Sequence, residues 1–73
     1  MNQRDKLLQN FGRRVRDARL ARGLTQEQLA AIAGFDRTYV SLVERGKRNL
    51  SLLNIYQLAS SLGNQPEDLV REL

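Results

Sequence analysis

The chain has 73 residues, with 41% hydrophobic, 27% charged and 5% aromatic residues. That is the length of one small domain and the composition of a globular one. It has no Cys and no His, which excludes disulfides, thiolate nucleophiles, imidazole acid–base chemistry and the common zinc sites. The formal net charge of +4 comes from twelve basic and eight acidic residues, and ten of the twelve are Arg. Residues 1–24 carry seven basic and two acidic side chains, residues 25–50 four and three, and residues 51–73 one and three. A polyanion is therefore expected on the first two thirds and not on the last. The polar opening Met1-Asn2-Gln3-Arg4-Asp5-Lys6 does not read as a signal peptide. No apolar run is long enough to span a bilayer, so a cytoplasmic protein is expected.

The periodicity predicts five helices and no strand. In the first, Leu7, Leu8, Phe11, Val15 and Ala18 share one stripe, and Gly23 stands where a left-handed residue ends a helix. Thr25 and Gln28 then have the spacing of a capping box, with Leu24 placed to staple onto Leu29. Gly34 stops that second helix. Asp36 is expected to cap the third, with Phe35 stapled to Val40, and Gly46 ends it. Ser51 caps the fourth, with Leu50 placed to meet Ile55, and Gly63 closes it. Pro66 opens a last short helix carrying Leu69, Val70 and Leu73.

Residues 25–45 carry the functional signal. Ala30 is small where two helices must approach, Gly34 supplies a sharp turn, and Val40 and Val43 give the third helix its inward side. That spacing is one of a helix-turn-helix. At 100° per residue, Val43 and Glu44 lie within about 60° of Val40. Thr38, Ser41, Leu42 and Arg45 lie opposite, with Tyr39 on the flank and Arg37 in the first turn. Such a face fits a major groove, where Arg reads guanine through O6 and N7. Arg13, Arg14 and Arg16 are expected on a solvated face. On the fourth helix, Leu52, Ile55, Leu58, Ala59 and Leu62 form the predicted inward stripe, and Leu53 points nearly opposite, between Asn54 and Gln57.

The string Leu24-Thr25-Gln26-Glu27-Gln28-Leu29-Ala30, with Gly34 and Val43-Glu44-Arg45-Gly46, resembles the Cro-type (XRE-like) helix-turn-helix family of phage repressors and bacterial regulators. Asp36-Arg37-Thr38-Tyr39-Val40-Ser41, followed by Glu44-Arg45-Gly46-Lys47-Arg48-Asn49 and Ser51, is similar to the controller proteins of restriction–modification systems. The resemblance implies an all-α, compact five-helix, lambda-repressor-like domain over residues 1–73. Its helix-turn-helix would occupy about 25–45 and its dimerisation region about 50–73. It implies a sequence-specific regulator of transcription, not an enzyme, binding a pseudo-palindromic operator in double-stranded DNA as a homodimer. RNA polymerase is a further expected partner, and no cofactor, metal, membrane or small-molecule ligand is expected.

Carried over position by position, the resemblance implies that Arg37, Thr38 and Ser41 read bases. Gln26, Tyr39, Lys47, Arg48 and Asn49 would hold the backbone or sense its shape, and Arg19 and Glu44 would form a structural ion pair. Leu53, Asn54, Gln57 and Leu69 are the expected dimer contacts. The alternatives are a phage-type or chromosomal repressor, or a helix-turn-helix interaction module such as an antitoxin. That last reading leaves the outward grouping of Arg37, Thr38 and Ser41 unexplained.

Overall fold

The computed structural model describes residues 2–73. Five helices follow in chain order: α1 Gln3–Ala21, α2 Gln26–Ala33, α3 Arg37–Glu44, α4 Leu52–Leu62 and α5 Pro66–Val70. Local chemistry sets their ends. The Asn2 side chain accepts from Asp5 N–H at 2.8 Å at the start of α1. At α2 the box closes both ways: Gln28 N–H donates to Thr25 Oγ1 at 3.0 Å, and Thr25 N–H to Gln28 Oε1 at 2.9 Å. Ser51 Oγ accepts from Asn54 N–H at 3.2 Å. Gln65 N–H donates to Asp68 Oδ2 at 2.9 Å, with Pro66 at the first position of α5. Asp36 differs from expectation. It occupies the N-cap position, but its exposed side chain makes no capping bond.

α1 packs on α3, α2 on α3 and α4, and α5 on α4 and α1. Phe11 and Val15, Leu29 and Ala30, Val40 and Val43, and Leu58, Ala59 and Leu62 meet in one buried core. Glycine permits the tightest of these approaches. A Cβ at Gly12 would collide with the backbone carbonyls of Val43 and Glu44, so α1 lies against the end of α3 with nothing between them.

Several placements correct the expectations from sequence. Leu69, expected at a dimer contact, is a core residue at 1% exposure. A five-residue helix has one inward position to give, and Leu69 takes it between α4 and α1. Leu52, expected inward, is exposed; at 100° per residue it lies about 60° from Ile55, on the margin of the stripe. Leu7 is exposed at the free end of α1. Arg14, expected in solvent, is half-buried and donates from Nη1 to the Asp68 carbonyl at 3.2 Å. Arg22 does the same for α4, donating to the Leu62 carbonyl at 2.8 Å. These two guanidinium groups satisfy carbonyls at the ends of distant helices, which have no intrahelical partner.

Candidate nucleic-acid interface

The turn between α2 and α3 is fixed from three sides. Gly34 takes φ +77°, a left-handed conformation costly for residues with a Cβ. Phe35 N–H donates back to the Ala30 carbonyl at 2.9 Å, closing the end of α2. From α4, Gln57 Nε2 donates to the Ala33 carbonyl at 2.7 Å. Held this way, α3 turns Val40 and Val43 into the core. Arg37, Thr38 and Arg45 are exposed, with Ser41 and Leu42 half-buried beside them. Arg37 also borders an open cleft of about 660 Å³ between the end of α1 and the start of α2, which Thr25 and Gln26 line as well.

Glu44 is the anchor behind this face. Its side chain is 3% exposed and that of Arg19 is 9%. Arg19 Nε donates to Glu44 Oε2 at 2.7 Å and Nη2 to Oε1 at 3.0 Å, the fork geometry of a strong pair. Arg19 Nη1 donates to the Leu24 carbonyl at 2.8 Å, and Gln26 Nε2 donates to Glu44 Oε1 at 3.1 Å. One carboxylate thus links α1, the entry to α2 and the end of α3. The hydrogen bonds that Arg19 donates to Glu44 raise the Arg19 pKa above its ordinary value, burial opposes that shift, and the Glu44 charge adds to it. For Gln26, one amide hydrogen is spent on Glu44, which orients the half-buried side chain and leaves the second hydrogen for a ligand.

Tyr39 has a comparable support. Its ring packs on Phe35, centroids 4.9 Å apart and tilted by 55°. Its hydroxyl accepts from Asn54 Nδ2 at 2.9 Å, so the phenolic hydrogen is free to donate elsewhere. Arg48 covers the ring, its Cζ 5.6 Å from the centroid. Lys47, Arg48 and Asn49 are exposed in the turn after α3. The structure therefore gathers Gln26, Arg37, Thr38, Ser41, Tyr39 and Arg48 around α3.

The four residues expected at a dimer contact are dispersed. Leu53 is exposed, Leu69 is in the core, Asn54 turns inward to Tyr39, and Gln57 is tied to the α2 turn. Sequence reasoning missed the neighbours of Leu53. Leu52, Leu53 and Tyr56 are 71%, 72% and 55% exposed on one side of α4. The i, i+3 and i, i+4 spacing of Tyr56 from the two leucines was the available signal.

Residues 15–69 match the family model described as Helix-turn-helix. The chain belongs to that family. The helix-turn-helix family comprises DNA-binding regulators of transcription, not enzymes, and this chain is one of them. It is 48% identical over 61 residues to the control protein C.BamHI of Bacillus amyloliquefaciens, covering 82% of this chain and 75% of that one. The solved structure of the restriction–modification controller protein C.AhdI from Aeromonas hydrophila superposes with a TM-score of 0.83 at 53% identity. It covers 85% of this chain and 94% of that one. A hypothetical transcription factor from Neisseria, NHTF, gives a TM-score of 0.86 at 37% identity over 96% of this chain and 80% of its own. The all-helical, compact domain read from the sequence is shared with these helix-turn-helix proteins.

Proposed function

We propose that this helix-turn-helix protein is a controller of restriction–modification genes, binding a pseudo-palindromic operator as a homodimer. The observation that carries the reading is the outer face of α3, where Arg37, Thr38 and Arg45 are exposed while Val40 and Val43 lock the opposite side into the core. The likeness to C.BamHI and C.AhdI, both named as controllers, supports the choice of regulator. A two-fold pair would set its recognition helices about 34–36 Å apart, one turn of duplex. Arg37, Thr38 and Ser41 read base edges. Gln26, Lys47, Arg48 and Asn49 hold phosphates, and Tyr39 senses a deformable step. The exposed α4 side of Leu52, Leu53 and Tyr56 makes the dimer. Activation would bring RNA polymerase as a further partner, and the work is cytoplasmic, on the nucleoid. No helix among the described residues is long and apolar enough to cross a membrane.

Selection of bound duplexes from a randomised library at near-physiological salt tests this. A symmetric consensus with two half-sites about one turn apart is expected; recovery of no consensus would overturn the reading. Two substitutions separate reading from holding. Arg37→Ala should cut discrimination at particular base pairs by about 1–3 kcal/mol each, and equal weakening of every sequence would deny it base reading. Arg48→Ala should weaken all duplexes alike and flatten the salt dependence by about one unit of slope. Its exposed contact with the Tyr39 ring contributes only about 0.5–1 kcal/mol, so the lost phosphate charge should dominate. A salt slope equal to the parent's would remove Arg48 from the backbone contacts.

A further inference from the structure

The five arginines between positions 13 and 22, in α1 and at its end, divide into two groups. Arg14, Arg19 and Arg22 are consumed by the fold, on the Asp68 carbonyl, Glu44 and the Leu62 carbonyl respectively. Arg13 and Arg16 are exposed and make no ion pair among the described residues, where the only two pairs are Arg19–Glu44 and Arg71–Asp68.

These two arginines lie at a seam closed by glycine. Gly12 lets the α1 backbone approach the Val43 and Glu44 carbonyls, and a Cβ at Gly46 would stand 2.7 Å from Gln9 Cγ and 2.8 Å from its Cα. α1 therefore runs close beside the end of α3 and the turn after it. Two open clefts follow the seam, and Gln9 lines both. One, of about 210 Å³, has Arg13, Arg16 and Arg45 at its rim. The other, of about 400 Å³, has Arg4, Lys47 and Asn49. Together they form a trough bordered by five cations. Of the acids that border it, Glu44 is bonded to Arg19 and Gln26, and Asp5 lies at the far end beside Arg4.

The C-terminal end of α3 attracts cations, but a helix terminus carries only about half a unit of negative charge. Three guanidinium groups around it leave a large positive excess. Their location is as telling as their number. Arg45 and Thr38 lie about 20° apart on the outer face of α3, so the trough continues from the face that meets DNA rather than from the opposite side of the molecule.

We propose that this trough is an accessory phosphate site, in which Arg13 and Arg16 hold the sugar–phosphate backbone of duplex flanking the half-site. Guanidinium groups bind phosphodiesters in bidentate fashion, and such contacts add affinity and register without reading sequence. The inference rests on the DNA-binding reading above and extends the bound length of DNA beyond the recognition helix.

The test uses the full chain and its Arg13→Gln/Arg16→Gln double variant. Both are titrated with two duplexes carrying the selected site, one ending at the site and one extended by about a helical turn, ~10 base pairs, on each side. On the extended duplex, the double variant should lose about 1.8 units of salt slope per protomer, two contacts at about 0.9 each. On the short duplex the loss should be much smaller, and base preference should not change. Equal slopes for parent and variant on the extended duplex would overturn the proposal. So would an equal loss on both duplexes, which would place the contacts inside the half-site. Because both substituted residues are exposed, matching thermal melts are expected to show that the fold is retained. A parent protein that selects no duplex would instead overturn the DNA-binding reading itself, a distinguishable result.

Discussion

Arg19→Ala is expected to lower the free energy of unfolding by about 3–5 kcal/mol, the cost of stranding one member of a buried pair. The Glu44 carboxylate accepts two bonds from Arg19 and one from Gln26, and its side chain is almost entirely out of water. Without Arg19 it keeps only the neutral amide of Gln26, and the Leu24 carbonyl loses its donor as well. A 73-residue domain has a total stability of about 4–11 kcal/mol, so the variant should lose at least about a quarter of that total. Replacing both partners with methionine should recover much of the loss, since no charge is then left buried. The exposed Arg71–Asp68 pair, at 3.4 Å, is the internal contrast: Arg71→Ala should change stability by less than about 1 kcal/mol. Urea titration reads all of these, and an unchanged midpoint in Arg19→Ala would show that the pair is solvated in solution. The Arg19 pKa is raised on folding, so its contribution is fully present below the unfolded value, already far above neutral, and is lost only as pH climbs through the still higher folded value. The Arg19→Ala deficit should therefore not owe any neutral-pH dependence to the guanidinium.

How much of this was legible in the chain depends on distance along it. The Thr25–Gln28 box, the Ser51 cap and the left-handed glycines at 34 and 63 are decided within three or four residues, and they stand where the sequence put them. The outward grouping of Arg37, Thr38 and Arg45 follows from one inward pair of valines and a fixed angular step, so it too was readable. Arg19 and Glu44 are 25 positions apart, and family resemblance rather than periodicity joined them. Neither periodicity nor resemblance placed residues whose burial depends on where a neighbour stops. Leu52 and Leu69 carry the same side chain, yet one protrudes from the first turn of α4 and the other fills the gap beneath α5. Asn54 looked like a surface neighbour of Leu53, but its amide reaches 15 positions back to the Tyr39 hydroxyl. Arg14 looked like solvated charge because nothing local marks a carbonyl 54 residues away as needing a donor.

Leu53→Asp should have the second large effect, on assembly rather than folding. Leu52, Leu53 and Tyr56 expose a contiguous apolar side of α4 that the protomer leaves uncovered. An aspartate at 53 is solvated in the monomer, so thermal stability at low concentration should barely change. In the dimer it would bury an unpaired carboxylate, which strongly disfavours association. Sedimentation should show monomers at concentrations where the parent is dimeric, and an unchanged association constant would remove Leu53 from the interface. DNA binding should then separate into its parts. Each protomer keeps its α3 face, so a single half-site should bind with near-parental affinity. The full operator loses the linkage between its halves, worth about 10²–10⁴-fold when two sites are engaged at once. Leu69→Asp provides the opposite pattern, since Leu69 lies in the core: it should destabilise the monomer itself and abolish half-site binding with it. The two leucines differ in which neighbour covers them, α1 and α4 of the same chain for Leu69, and, in the proposed dimer, a second copy for Leu53.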